Sequence, residues 1–282
     1  MASDKKFAVL IDADNISDKY IKIILDEISN DGIATYKRIY GDWTKPALNS
    51  WKNVLLDNSI TPIQQYGYTV GKNSTDSSLI IDAMDILYTD KVDGFCIVSS
   101  DSDFTRLAAR LRESAMEVVG MGERKTPKPF IAACNRFKYL DILYETATAQ
   151  KQPKQKPAAE KPPMKVQPEK PEKVEKAARF KSAEPAEPVR VAPPAKQEEK
   201  EMTDLDTVKA AIRTIVTENS DEDDWMFIGT IGNLLVKRYP DFDVRNFGFN
   251  KLTPFVESLD MFDIKSVRTH DSSVKLIYVK MK

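Results

Sequence analysis

Aspartate is the residue that could do chemistry in the first half of this 282-residue chain. Residues 1–150 hold 16 Asp against 5 Glu and no histidine; the one imidazole in the chain is His270. A Ser-His-Asp triad, a Cys-His pair, a histidine-based ribonuclease and a His-rich zinc site are therefore excluded there. Short carboxylates in such excess suggest positioned metal ligands or helix caps more than a solvated helical face. Asp12, Asp14 and Asn15 follow an apolar run at 7–11, Asp101 and Asp103 follow a second at 94–98, and Asp76 opens a helical pattern. If both runs are central parallel strands, Asp12 and Asp101 emerge on the rim where open parallel sheets bind ligands, and Asp76 joins them after the polar turn at 71–75. Carboxylates converging in one cleft repel one another and are tolerable only if protonated or neutralised by a divalent cation. An all-oxygen site suits Mg2+ or Mn2+. Each acid also has a plainer reading, since Asp14, Asp76 and Asp103 all stand where a helix cap could stand. Three of them on one rim exceed what capping requires. Asp82, further along its helix, is a minor candidate beside Asp14.

The elements that must hold these acids alternate. Apolar strand-like runs at 7–11, 34–40, 60–66, 94–98 and 117–121 are separated by helical patterns at 16–28, 46–56, 76–88 and 104–112, and a short helix is expected at 128–134. Repeated strand–helix units imply a largely parallel sheet with helices on both faces, a three-layer α/β domain. Two look-alikes are set aside or held open. The segment Gly67 to Asn73 has only three residues between its glycines and no Ser or Thr after Lys72, unlike a phosphate loop. Asp12-Ala13-Asp14 resembles the nucleophile loop of the haloacid dehalogenase superfamily, with Asn15 where that loop wants Thr or Val. An aspartate-dependent phosphatase is therefore an alternative.

Charge divides the chain in three. The 42 basic and 43 acidic side chains nearly cancel, yet residues 151–200 carry 13 basic and 8 acidic groups and most of the 16 prolines. That segment cannot bury enough apolar surface to offset its conformational entropy, so 148–201 is expected to be a stiff, disordered linker between domains at 1–147 and 202–282. With no uniform basic coat, binding to phosphate must use local patches. No apolar run reaches a membrane span, residues 1–7 lack a signal-peptide core, and two cysteines, Cys96 and Cys134, build neither a disulfide framework nor a zinc site. The expectation is a cytoplasmic protein without a membrane partner. Residues 202–282 read as three helices, at 205–215, 227–238 and 251–259, then a hairpin of 262–267 with 274–279, a winged-helix plan.

Asp12-x-x-Asn15, the segment Lys72…Asp76-x-x-Leu79-x-x-Asp82, and Ser99-Ser100-Asp101-Ser102-Asp103-Phe104 stand in the order and spacing of the NYN (LabA-like) family, which this region resembles over about 6–142. Gly120-Met121-Gly122 through Phe137 resembles its closing strand and helix. The resemblance implies a PIN-like nuclease fold and a metal-dependent ribonuclease. Asp12, Asp76, Asp101 and Asp103 would be its catalytic metal ligands, with Asn15 in support. With no imidazole present, a cation that acidifies water would stand in for a general base, and cleavage would leave 5′-phosphate and 3′-hydroxyl ends. Tyr239-Pro240-Asp241-Phe242-Asp243…Phe247-Gly248-Phe249-Asn250-Lys251-Leu252, preceded by Ile231-Gly232, resembles the OST-HTH (LOTUS) domain. That implies RNA binding or docking to a protein partner. Lys237, Arg238, Arg245 and Lys251 are its basic candidates, and most of its phenylalanines read as core. In the first domain Arg106, Arg110 and Arg112, then Arg124, Lys125 and Lys128, could guide a phosphate backbone, although a solvated helical face explains the first trio equally well. A non-catalytic RNA-binding adaptor is the other alternative, and self-association is left open.

Overall fold

The computed structural model describes residues 4–66, 74–151, 202–221, 223–268 and 275–282. Most of the expected linker, the loop around Lys72 and His270 lie outside them. In the first segment β1 (Lys6–Asp12) leads through a 3-10 turn (Asp18–Tyr20) into α1 (Ile21–Asp31), and β2 (Ile33–Gly41) follows. Next come α2 (Trp51–Asp57), β3 (Thr61–Gln64), α3 (Ser74–Tyr88) and β4 (Gly94–Val98). A second 3-10 turn (Ser102–Phe104), α4 (Thr105–Glu113), β5 (Glu117–Gly122), α5 (Lys128–Ala133), β6 (Arg136–Tyr139) and α6 (Leu140–Lys151) complete it. Two helices start later than their apolar stripes suggest. Residues 16–20 and 102–104 are loop and 3-10 turn, because the rim acids occupy the chain there with local hydrogen bonds instead of helical ones.

All six strands are parallel, in the order β3-β2-β1-β4-β5-β6. Alternate residues of β1 serve the two faces. Ala8 and Leu10 pack with α3, α4 and α5, whereas Phe7, Val9 and Ile11 pack with α1 and α2. Burial on both sides is why β1 and β4 read as continuous apolar runs. The register fixes the rim: Ile11 pairs with Val98, so Asp12 and Ser99 are the next residues outward on neighbouring strands. Cys96 and Cys134 are buried, and burial raises both thiols, Cys134 to about 12.

The C-terminal segment contains α7 (Leu205–Asn219), β7 (Met226–Phe227), α8 (Ile228–Arg238), a 3-10 turn (Val244–Phe247), α9 (Leu252–Ser258), β8 (Phe262–Arg268) and β9 (Lys275–Met281). Asp204 caps α7 by accepting the Thr207 amide at 2.7 Å. The antiparallel order is β7-β9-β8, so a two-residue strand joins the expected hairpin. Phe255 is fully buried, with the rings of Phe242, Phe247 and Phe249 at 5.9, 5.2 and 5.6 Å. These aromatics form a core. No described helix is long and apolar enough to cross a membrane.

Gly122, at the end of β5, has no room for a side chain. A Cβ there would lie 2.6 Å from the Ser99 carbonyl and 2.6 Å from the Thr126 hydroxyl. Gly122→Ala is therefore expected to destabilise the fold by about 1–3 kcal/mol through overpacking. A urea midpoint equal to that of the unmodified chain would contradict this account.

Candidate metal centre

Asp12 ends β1 with its side chain fully buried, although a carboxylate out of water is costly unless donors surround it. They do. Asn15 Nδ2 donates to Oδ2 at 2.7 Å, Ser99 Oγ donates to the same oxygen at 2.8 Å, and the Asp14 amide donates to Oδ1 at 3.1 Å. Burial still raises the Asp12 carboxyl above its ordinary range, with these donors opposing it. The chain of bonds continues outward. Ser99 Oγ accepts the Asp101 amide at 3.1 Å, and Asp101 Oδ1 accepts the Asp103 amide at 2.9 Å. The buried acid is thus linked through Ser99 to Asp101 and Asp103.

Three carboxylates meet above it. Ligand oxygens of Asp76, in the first turn of α3, and of Asp101 and Asp103, after β4, lie within 4.8 Å of one another. Asp76 is buried, Asp101 intermediate and Asp103 exposed, so the group opens towards solvent. Burial pushes the Asp76 carboxyl up to about 6, and the charges of Asp12, Asp101, Asp103 and Asp14 add to the effect. A hard cation with oxygen ligands suits this donor set, since it needs several carboxylates on one side and leaves other positions to water. Asp12 is not in the group of three; it carries three donors on its oxygens, and its charge is the first to add to the effect of burial on Asp76.

The remaining sequence candidates divide. Asn15 is at the site, on Asp12. Asp14 does not cap a helix; it accepts Thr75 Oγ1 at 2.9 Å and pairs with Lys45 at 3.4 Å, tying the β1 loop to the start of α3. Asp82 is not brought to the acids, being bound to Arg38 and the Tyr40 hydroxyl. Ser99 and Thr75, to which no role was given from the sequence, carry the rim. The signal for Ser99 was available, because an acid ending a buried strand needs a donor from the strand beside it.

With this geometry in place, two domain profiles match the sequence, the NYN domain at residues 6–141 and the OST-HTH/LOTUS domain at 203–274. The chain carries an NYN domain followed by an OST-HTH/LOTUS domain. A solved structure of a Vibrio parahaemolyticus protein of unknown function is 18% identical with a TM-score of 0.42, covering 49% of this chain and 93% of its own. No curated protein matches the chain.

Basic candidates of the NYN domain are mostly engaged. Arg110 bonds Ser114, Arg112 donates to the Ala132 and Ala133 carbonyls, Arg124 pairs with Glu145 at 2.8 Å, and Lys125 pairs with Glu123 at 2.7 Å. Arg106 and Lys128 are exposed. Arg124 and Lys125 follow the carboxyl end of β5, on the same rim as the acids. In the LOTUS domain Lys251 is exposed. Lys237 and Arg238 line a cleft with Lys5, Glu117 and Arg136, which stand at the starting ends of β1, β5 and β6. That is the opposite rim from the acids. Arg245 is held by Glu27 and Asp243.

Two outcomes test this geometry. Ser99→Ala removes a donor from a buried carboxylate and the acceptor of the Asp101 amide, so it should cost about 1–3 kcal/mol in urea denaturation. Asp76 binds its proton more tightly folded than unfolded, where its value is near 3.9. Stability in EDTA should therefore fall as pH rises from about 4 to about 6, and Asp76→Asn should remove that part of the slope. Identical slopes in both proteins would assign the effect to other groups.

Proposed function

We propose that the chain is a metal-dependent ribonuclease whose LOTUS domain binds the RNA it cuts. The NYN domain belongs to the nuclease superfamily and the OST-HTH/LOTUS domain is an RNA-binding module. The observation that carries the reading is the convergence of Asp76, Asp101 and Asp103 at the carboxyl end of a parallel sheet. Those three residues would hold Mg2+ or Mn2+, which supplies Lewis acidity for in-line attack by water on phosphorus and offsets the negative charge that develops.

The chain's own groups do the rest. Asp12 keeps Asp101 in register through Ser99, and Asn15 holds the Asp12 carboxylate in place. Asp76, whose carboxyl burial and the neighbouring acids push up to about 6, would give up its proton on taking a cation. Arg124 and Lys125, on the same rim, would be the groups that meet the RNA phosphates. Their own side chains are exposed, so the ion pairs with Glu145 and Glu123 can exchange for RNA.

Labelled single-stranded RNA should be cleaved with Mn2+ and spared with EDTA, giving 5′-phosphate ends. Asp101→Asn keeps the side-chain volume and the cap on the 102–104 turn but removes one charge from the cluster. Cleavage should fall by orders of magnitude while RNA affinity stays within a few-fold. Equal activity in the two proteins would sink the metal-centre assignment for Asp101. RNA binding with no metal-dependent cleavage would favour the adaptor reading.

A further inference from the structure

The edge strand β6 meets the C-terminal domain, and the two described segments form one compact unit. The meeting has three anchors. On the open side of β6 the Phe137 amide donates to the Pro240 carbonyl at 2.7 Å, satisfying an edge group that would otherwise invite another strand. The Tyr139 hydroxyl donates to Asp241 at 3.2 Å, and the same buried carboxylate accepts the Thr203 amide at 3.0 Å and the Thr203 hydroxyl at 2.7 Å. Arg245 forks onto both oxygens of Glu27, at 2.5 and 2.9 Å, and its other edge is held by Asp243 at 2.6 Å.

Glu27 explains why this contact is built. It lies on α1, only 8% exposed, where burial would raise its carboxyl; Arg245 and Lys138 together hold it down to about 2. Taking Arg245 away would leave a buried acid with Lys138 at 2.8 Å as its main partner. Arg245 is also committed elsewhere: Glu27 and Asp243 flank its guanidinium, and its donors are already directed at carboxylates in the bidentate geometry that phosphate would need.

We propose that the face of the LOTUS domain formed by Pro240, Asp241 and Arg245 is a protein-docking face, and that its partner is the β6 edge and α1 of this chain's own NYN domain. Arg245 is a docking residue and not an RNA contact, and the two domains remain joined without help from the covalent connection through 152–201.

A protease site placed within 152–201 of the full chain allows the connection to be cut after folding. The cut halves should co-elute in gel filtration at micromolar concentration. Arg245→Glu and Glu27→Arg should each weaken their association roughly tenfold or more, and the double exchange should restore it. Circular dichroism of each cut protein checks that both halves stay folded, and Arg245→Met with Glu27→Gln serves as the milder pair if a charge reversal unfolds its domain. Affinity for single-stranded RNA should be unchanged in Arg245→Met. Wild-type halves that separate on cutting would overturn the proposal. So would single variants that still co-elute but lose RNA binding, which would make this an RNA face.

Discussion

A negative charge buried at the end of a central strand is the constraint around which the first domain is organised. Asp12 has no water to solvate it, so its neighbours must supply donors from fixed directions. The sheet provides one of them by register alone, because pairing of Ile11 with Val98 brings Ser99 alongside. The loop after β1 gives up helical hydrogen bonds to provide the others, through Asn15 and the Asp14 amide. Among the described residues no buried side-chain nitrogen or oxygen is left without a partner. Precision at the exposed acids is inherited from that buried one, through Ser99 and then Asp101.

The fold was largely legible because its signals are local. Continuous apolar runs marked β1 and β4, and helical stripes marked α3 and α4 to within a few residues. Neither β6 nor α6 was anticipated, since a four-residue strand running directly into a helix has too short a pattern to define either. The site was legible in kind and less so in arrangement. Asp82 was only a minor candidate, and since six residues turn about 240° round a helix it projects from a different face than Asp76. Sequence order shows which rim Asp12 reaches and not how deep it lies, and its side chain is fully buried.

Long-range ion pairs were the least visible feature. Arg245 and Glu27 are 218 residues apart, and nothing in the composition of either segment links them. Arg245 read as a candidate RNA contact because a basic residue in an RNA-binding module usually has water on one side. Here it has carboxylates on both. The same limit applies to Asp241, whose burial depends on Tyr139 from the other domain and could not be inferred from the Tyr-Pro-Asp-Phe-Asp run alone.

A parallel sheet has two unlike ends, and each of them carries its own mixture of charges. The acids gather where β1 and β4 finish, whereas Lys237 and Arg238 overlook the end where β1, β5 and β6 begin. The five residues of β4 put roughly 16 Å between those ends. The distance between the two rims is a property of strand length, fixed by the backbone and independent of which side chains line either end.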